Sequence, residues 1–274
     1  MNIDNQVVRD FGSEWSRFDQ SSLSDEDHRK MFESYFHIFP WCNLSLNSVG
    51  ADIGCGSGRW ASLVAPRIGH LHLVDPSEAA LKVAIKNLSN FSNTTFHMSS
   101  VDNLPLEDAS LDFAYALGVL HHVPDTAAAI NSIAKALRPQ APFLIYLYYA
   151  FDQRPLWFRC LWRISDAFRR AISLLPKNLK NICCDVIAIS IYLPFARIAR
   201  ILDHFNSLPK SWPLSYYRDR DFYVLRTDAL DRFGTRLEQR FTRSKVIQML
   251  MDAGFENIKF SDHQPFWCAV SFKK

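Results

Sequence analysis

Residues 51–58 of this chain combine three alternating glycines with an acidic residue, a combination suited to holding a small ligand. They read Ala-Asp-Ile-Gly-Cys-Gly-Ser-Gly and overlap a short apolar stretch, 49–53. Because glycine has no Cβ and tolerates positive φ, such a turn lets the backbone come very close to a ligand. The dinucleotide fingerprint Gly-x-Gly-x-x-Gly is not matched, since Arg59 stands where its last glycine belongs. The turn therefore predicts a ligand site between a strand and a helix, and it disfavours a nicotinamide or flavin dinucleotide.

Short apolar segments alternate with helical segments between residues 49 and 142, as in a parallel sheet that is covered by helices on both faces. Ligands of such sheets bind outside the carboxyl ends of the strands, so the loops after the first four strands are expected to meet at one crevice. The predicted strands are 49–53, 71–75, 94–98, 111–117 and 142–148, with 255–260 and 266–272 completing the sheet near the end of the chain.

Several segments have the spacing of apolar residues that is typical of helices. The region 11–40 mixes aromatic and acidic residues as one or two amphipathic helices would, and it is expected to cover the edge or mouth of the sheet. A basic amphipathic helix is predicted over 155–175, because apolar residues recur there at helical spacing with arginines elsewhere on the helix. A helix also begins at 59–64. The other predicted helices are 77–88, 125–137, 182–202 and 241–253, the last ended by Gly254, with a linker at 208–217.

The composition is that of a soluble protein. With 274 residues, 48% hydrophobic and 22% charged, the chain is long enough for one large domain or a domain with an insertion. Its six cysteines show no Cys-x-x-Cys pair and no spacing with histidine suited to zinc, which predicts reduced thiols, a cytoplasmic location and no metal. The first 20 residues lack the apolar segment of a secretory signal. The longest apolar stretch, 186–196, contains Pro194 and is too short to span a bilayer.

Charge is distributed unevenly along the chain. Residues 1–149 hold 10 Lys and Arg against 16 Asp and Glu, a net charge of −6, whereas residues 150–245 hold 18 against 9, a net charge of +9. The basic and aromatic middle segment predicts a surface that meets an anionic or apolar partner. The alternative is that its arginines only solvate the faces of helices.

The glycine turn is followed at natural intervals by three further segments: Leu-Val-Asp-Pro-Ser at 73–77, Val-Asp-Asn-Leu-Pro-Leu at 101–106, and Ala-Leu-Gly-Val-Leu-His-His-Val at 116–123. In this order the four segments resemble the motifs of the class I S-adenosylmethionine-dependent methyltransferases, of the small-molecule, methyltransferase type 11-like kind. The resemblance covers about 45–140 and, more weakly, 241–272. It implies a Rossmann-like α/β fold, a seven-stranded sheet with an antiparallel last strand and helices on both faces.

The resemblance also implies S-adenosyl-L-methionine as the cofactor. The glycine turn and the helix after it would present backbone N–H groups to the methionine end. Asp75 would accept hydrogen bonds from the ribose hydroxyls, Asp102 from the adenine amino group, and Asp52 would meet the ammonium group. A helix cap for Asp75 and a plain surface aspartate for Asp102 are the alternatives. The cofactor-binding residues predicted in this way are Asp52, Gly54, Cys55, Gly56, Gly58, Asp75, Pro76, Val101, Asp102, Leu117 and Gly118.

Two segments depart from the family's pattern, so the resemblance does not identify the acceptor. Arg-Pro-Gln-Ala-Pro at 138–142 stands where many relatives have Arg-Pro-Gly-Gly, and 231–242 resembles the substrate-side segment of relatives only loosely. The Asn/Asp-Pro-Pro-Tyr/Phe motif of enzymes that methylate nucleic-acid bases is absent, since 116–122 occupies its place. Nucleic acid is therefore disfavoured as a substrate.

His121 is the candidate general base, because it follows the fourth strand and a histidine takes up a proton near neutral pH. A histidine that only packs against the cofactor loop is the alternative. Guanidinium groups suit a carboxylate or phosphate on the acceptor, although each arginine alone could be a surface charge. The candidate substrate-binding residues are His122, Tyr217, Arg218, Arg232 and Arg240.

The predicted organisation is an N-terminal helical cap (1–44), a cofactor-binding core (45–149), a basic, aromatic helical insertion acting as a lid (150–240), and a closing helix and strand pair (241–274). The predicted activity is methyl transfer to a small or lipid-linked acceptor, with oxygen favoured. A non-methylating or non-catalytic S-adenosylmethionine-binding protein, held to a membrane or partner, is the alternative. The helix at 155–175 has the composition of an interfacial helix on an anionic membrane.

Overall fold

The computed structural model describes residues 2–151, 155–209, 212–265 and 267–274. They divide into two units. The first unit comprises 2–19, 30–151 and 237–274 without 266, and the second comprises 20–29 and 155–236 without 210–211. Four sequence predictions extend beyond the described residues: the cap at Met1, the insertion at 152–154, the linker at 210–211 and the last strand at Phe266. The predicted domain boundaries themselves stay predictions.

The first unit is built on a seven-stranded sheet, whose strand order is β3-β2-β1-β4-β5-β7-β6. Strands β1 to β5 are parallel, and β7 runs antiparallel to both β5 and β6. This confirms the α/β class and the antiparallel last strand. The strands are β1 Val49–Ile53, β2 His70–Asp75, β3 Thr94–Met98, β4 Phe113–Leu117, β5 Pro142–Tyr146, β6 Phe255–Phe260 and β7 Cys268–Lys273.

The central strands are buried on both faces, which is why they read as continuous apolar runs rather than alternating ones. All five residues of β4 are buried, and in β1 only Val49 is partly exposed. The strand predicted over 111–117 is shorter because Leu111 forms only an isolated bridge with Leu137. The parallel arrangement brings the carboxyl ends of β1 to β4 to the same edge of the sheet.

Side-chain caps set the starts of several helices. The Ser77 hydroxyl accepts a hydrogen bond from the Ala80 N–H, and the Asp125 carboxylate accepts one from Ala128. Gly254, at φ +80°, follows the last helix. The helices are α1 Asn5–Arg17, α2 Asp25–Phe36, α3 Ala61–Val64, α4 Glu78–Asn87, α5 Thr126–Ala136, α6 Leu156–Ser173, α7 Lys177–Ile187, α8 Leu193–His204, α9 Phe222–Gly234 and α10 Arg243–Asp252.

The second unit is helical, and one of its helices is longer than predicted. A π-helical turn at Ala188–Tyr192 joins α7 and α8 into one helix, Lys177–His204. Pro194 lacks an N–H group, and the π-turn just before it lets the helix continue. By length and composition this 28-residue helix could cross a membrane. The expectation that the apolar segment is too short to do so is therefore corrected.

Helix α9 is the element of the second unit that the sequence does not predict. Its buried residues include Leu225, Ala229 and Phe233, yet charged residues are interleaved with them. A helix that is contacted on several sides has no single apolar stripe, so periodicity cannot detect it.

Candidate functional site

A cavity of about 950 Å³, its solvent-filled mouth included, opens at the carboxyl edge of the sheet in the first unit. As predicted, segments that follow β1, β2, β3 and β4 all line it. Of the predicted cofactor-binding residues, those that line the cavity are Gly54, Cys55, Asp75, Pro76, Val101, Leu117 and Gly118, whereas Asp52, Gly56, Gly58 and Asp102 are not among its lining residues.

The glycine turn needs glycine for both conformation and space. Gly54, Gly56 and Gly58 have φ values of +73°, +54° and +73°, which side chains rarely adopt. A Cβ atom on Gly54 would lie 2.4 Å from Val119 Cγ1, and one on Gly56 would lie 2.7 Å from Trp15 Nε1. The turn is therefore closely packed, with Gly54 and Cys55 reaching the cavity.

Asp75, the last residue of β2, is an acidic group on the cavity wall. Its Oδ2 accepts a hydrogen bond from the Gly56 N–H at 2.9 Å, and its Oδ1 accepts one from the Ser77 N–H at 2.8 Å. Burial raises the pKa of Asp75 to about 6, although these two hydrogen bonds act in the opposite direction. A carboxylate has about four lone-pair sites, so Asp75 can still accept hydrogen bonds from a bound hydroxyl.

Asp52, on the strand next to that of Asp75, is buried and does not line the cavity. The Tyr115 hydroxyl donates a hydrogen bond to Asp52 Oδ2 at 3.0 Å. Burial raises the pKa of Asp52 to about 8, against the smaller opposing effect of Tyr115. The carboxyl group is therefore largely protonated at neutral pH. Its predicted contact with the ammonium group of the cofactor stays a prediction.

We expect the proton on Asp52 to make stability depend on pH. In the unfolded chain this group loses its proton near 3.8, whereas in the folded protein it keeps it to about 8. The folded state then binds more protons between these values, so the free energy of unfolding falls as pH rises through this window. The stabilising effect of this proton is fully present below 3.8, the pKa of Asp52 in the unfolded chain. Urea unfolding across the window measures this decline.

Asp52→Asn provides the control for this prediction, because its amide oxygen still accepts from Tyr115 but cannot titrate. We expect its unfolding free energy to fall less steeply with pH than that of the wild type. Asp75 contributes in the same direction up to about pH 6, so the difference between the two proteins is the readout. If the unfolding free energies of the two proteins fell in parallel as pH rises, a raised pKa at Asp52 would be contradicted.

The N-terminal segment supplies part of the cavity wall. The sequence predicts only that this region covers the edge or mouth of the sheet. Residues 2–4 and helix α1 line the cavity together with the sheet. Asp102 is exposed, and its Oδ2 accepts a hydrogen bond from the Asn2 N–H at 2.9 Å. Its predicted contact with adenine stays a prediction. The lining residues of α1 are Val7, Val8, Phe11 and Trp15.

The two histidines after β4 occupy different environments. His121 is fully buried, stacks on Tyr148 with ring centroids 3.8 Å apart, and is not a cavity-lining residue. Burial lowers the pKa of His121 well below its ordinary value, so its ring is neutral. His122 does line the cavity, and its Nδ1 lies 2.7 Å from the Leu237 carbonyl oxygen. Because a carbonyl oxygen only accepts, Nδ1 bears a proton, and Nε2 is the ring nitrogen that can accept one.

The predicted substrate-binding residues other than His122 do not line the cavity. In the first unit, Arg240 lies 2.7 Å from Glu238 and over the ring of Phe151. In the second unit, Tyr217 is buried, Arg218 pairs with Asp203 at 2.9 Å, and Arg232 lies 3.5 Å from Asp228. Their roles stay predictions. Within the described residues, no group of three or more His, Cys, Asp or Glu is arranged to hold a metal ion.

Comparison with known proteins gives three kinds of similarity. Residues 51–145 match the family model described as a methyltransferase domain. The chain is 35% identical over 100 residues, 35% of its length and 23% of the relative's, to phosphoethanolamine N-methyltransferase 2 of Caenorhabditis elegans. It is 32% identical over 131 residues, 46% of its length and 52% of the relative's, to the ubiquinone biosynthesis O-methyltransferase of Marinobacter nauticus. The chain thus spans about half or less of the length of these relatives.

A solved structure agrees with the fold. The possible exported protein from Bordetella parapertussis superposes with a TM-score of 0.52 at 15% identity, covering 92% of this chain and 68% of that one. At this identity the similarity concerns the fold alone.

Proposed function

We propose that this chain, in which residues 51–145 form a class I S-adenosylmethionine-dependent methyltransferase domain, transfers a methyl group to a hydroxyl group of a small or lipid-linked acceptor. The observation that supports this most directly is that the glycine turn, Asp75 and the segment after β4 line one cavity. Asp52, the carboxylate near the end of β1, is not among the residues that line this cavity.

The residues of the cavity fit S-adenosylmethionine. Gly54 and Cys55 bring the backbone of the glycine turn to the cavity wall, where the methionine end would lie. Asp75 has oxygen lone pairs left for ribose hydroxyls, beyond the two N–H groups that it already accepts. Val8 and Phe11 from α1 and Val101 after β3 supply the apolar surface that a planar base needs. The cofactor, when bound, supplies an electrophilic methyl group on a sulfonium.

What the protein must add is alignment and, for a hydroxyl acceptor, a base. Methyl transfer is an in-line displacement, and such a reaction gains much of its rate when the reacting atoms are held in position. In this proposal His122 takes the proton of the hydroxyl at Nε2, because it lines the cavity and its Nδ1 proton is held by the Leu237 carbonyl oxygen. His121, the base predicted from the sequence, then acts by packing: it stacks on Tyr148 beside His122.

Oxygen is favoured as the methylated atom by the similarity to the ubiquinone biosynthesis O-methyltransferase, which covers more of this chain than the similarity to the phosphoethanolamine N-methyltransferase. The same proposal includes four further points: a carboxylate or phosphate on the acceptor, a lid formed by residues 150–240, a substrate other than nucleic acid, and peripheral membrane contact through 155–175. It also includes a cytoplasmic location, with which the absence of a disulfide among the six cysteines agrees.

The competing hypothesis is that the protein binds S-adenosylmethionine without transferring its methyl group. Turnover distinguishes the two. The purified chain is incubated with methyl-labelled S-adenosylmethionine and a panel of phenols and catechols, with and without a polyprenyl tail, and with phosphoethanolamine. We expect labelled methyl ether and an equal amount of S-adenosylhomocysteine, both abolished or strongly reduced in His122→Gln. Labelled amine would correct the methylated atom. Cofactor binding without S-adenosylhomocysteine for any acceptor would support the competing hypothesis instead.

A further inference from the structure

Helix α6 of the second unit is inverted in polarity compared with a helix in a water-soluble fold. On α6, Ile164 and Phe168 are 57% and 62% exposed, whereas Arg169 is 6% exposed. Arg169 donates hydrogen bonds to Asp166 at 2.8 Å and to the Thr235 carbonyl oxygen at 2.8 Å. Charged groups are thus paired inside the unit, while large apolar side chains face outward. In water the opposite arrangement is the rule.

The helix Lys177–His204 repeats this inversion. Its buried positions are occupied mainly by small residues, Cys184, Ala188, Ala196 and Ala199, together with Lys180 and Tyr192. Its exposed positions include Ile182, Val186, Ile189, Ile198 and Ile201, each more than two-fifths exposed. Small residues inside and large aliphatic residues outside are typical of helices whose outer surface meets lipid rather than water. We refer to the exposed apolar residues of α6 and of Lys177–His204 together as the apolar face.

Basic residues border the apolar face on α6. Trp157, Leu161, Ile164 and Phe168 recur at spacings of four and three residues, which places them on one stripe. At the helical spacing, the exposed residues Arg159 and Arg163 fall between that stripe and the buried face. Long basic side chains in this position can reach lipid phosphates while their stems cover apolar surface. Residues 156–204 hold eight Lys and Arg against three Asp and Glu, a net charge of +5, so the complementary partner is anionic.

Chain connectivity decides between crossing a bilayer and lying on it. Strand β5 precedes residues 155–236 of the second unit and β7 follows them, and the two strands are hydrogen-bonded neighbours in one sheet. A single crossing by Lys177–His204 would leave them on opposite sides of a membrane. A return crossing would need another helix. Helix α6 holds five charged residues, and α9, with 13 residues, spans only about 20 Å of the roughly 30 Å required.

We propose that the apolar face lies in the boundary between headgroups and acyl chains of an anionic lipid bilayer, with no segment crossing the bilayer. The inference goes beyond the proposed methyl transfer and does not depend on it. It also extends the sequence prediction, which placed membrane contact on 155–175 alone, to Lys177–His204. A protein docked in this way would meet lipid-linked molecules in two dimensions rather than in solution.

The test is sedimentation of the full chain with vesicles of phosphatidylcholine alone and of phosphatidylcholine with phosphatidylglycerol. We expect binding to the anionic vesicles, weaker binding to the neutral ones, and release from the anionic vesicles by alkaline carbonate. The double variant Ile164→Gln/Ile189→Gln should bind at least about tenfold more weakly. Ile85→Gln/Met251→Gln is the matched control, since both residues are exposed apolar positions on helices of the first unit, and it should bind as the wild type does.

A second pair of variants tests the charge. Arg159→Gln and Arg163→Gln should each weaken binding to anionic vesicles roughly fivefold and leave binding to neutral vesicles unchanged. Lys135→Gln and Lys245→Gln, exposed lysines of the first unit, are the controls and should change neither.

Three results would overturn the proposal. If Ile164→Gln/Ile189→Gln and its control weakened vesicle binding equally, the apolar face would not be the surface that binds the vesicles. If the protein stayed with the vesicles after carbonate extraction, the absence of a segment that crosses the bilayer would be contradicted. No vesicle binding, with self-association in sedimentation velocity that Ile164→Gln/Ile189→Gln abolishes, would assign the face to a second copy of the chain. All these readouts measure binding, so their failure leaves the proposed methyl transfer untouched.

Discussion

Asp75→Asn is expected to weaken S-adenosylmethionine binding by about 100-fold, measured by isothermal titration calorimetry. A hydrogen bond to a charged group contributes about 1.5–3 kcal/mol, and two ribose hydroxyls are proposed to donate to this carboxylate. Asparagine keeps one acceptor oxygen but replaces the other by an NH₂ group, which also opposes the N–H of Gly56 or Ser77. Some loss of stability is therefore expected as well, and urea unfolding measures it separately.

The matched control is Asp108→Asn, an exposed aspartate in the loop before β4 that does not line the cavity. It should bind as tightly as the wild type. In the wild type, affinity should fall as pH drops below about 6, since Asp75 then takes up a proton and offers fewer acceptors. Asp75→Asn should lack that dependence. An unchanged dissociation constant in a folded Asp75→Asn protein would contradict the placement of the ribose.

Gly54→Ala is expected to destabilise the protein by about 2–5 kcal/mol, the sum of an unfavourable positive φ and the displacement of Val119. The new Cβ would lie 2.4 Å from Val119 Cγ1, and the β-branched valine has little freedom to move away. Urea unfolding checks the size of the effect.

Gly118→Ala is the comparison that isolates packing from backbone strain. Gly118 has φ +79°, close to that of Gly54, but the nearest atom to its added Cβ is Tyr146 Cδ1 at 4.0 Å. It should lose only about 1 kcal/mol. Equal losses in the two variants would mean that the turn is strained but not tightly packed, and that the close approach at Gly54 has been overestimated.

The parts of the fold that the sequence predicts well are those in which one local rule dominates. Strands β1 and β3 occur where the apolar runs place them, and Ser77 and Asp125 cap helices because their side chains satisfy free N–H groups. Motif order likewise predicts which loops line the cavity, since parallel strands bring their carboxyl ends together.

What the sequence does not predict depends on packing between distant segments. The distinction between His121 and His122 is an example: adjacent residues of one type differ because one stacks on Tyr148 and the other reaches the cavity. Asp52 and Asp75 end neighbouring strands, but only Asp75 reaches the cavity wall. The helix Lys177–His204 starts five residues before the predicted start at 182, because residues 177–181 are mostly polar and do not show apolar residues at helical spacing.

The neighbouring positions of β5 and β7 in the sheet also order events during synthesis. Tyr146 pairs with Cys268, which is 122 residues later in the chain, and residues 155–236 of the second unit are translated between them. Helical hairpins rely on local contacts and form fast, whereas this pairing must wait for the last strand. We expect the helices of the second unit to leave the ribosome and fold while the edge of β5 is still open. If lipid is present at that moment, the nascent chain can reach it before its own sheet is complete.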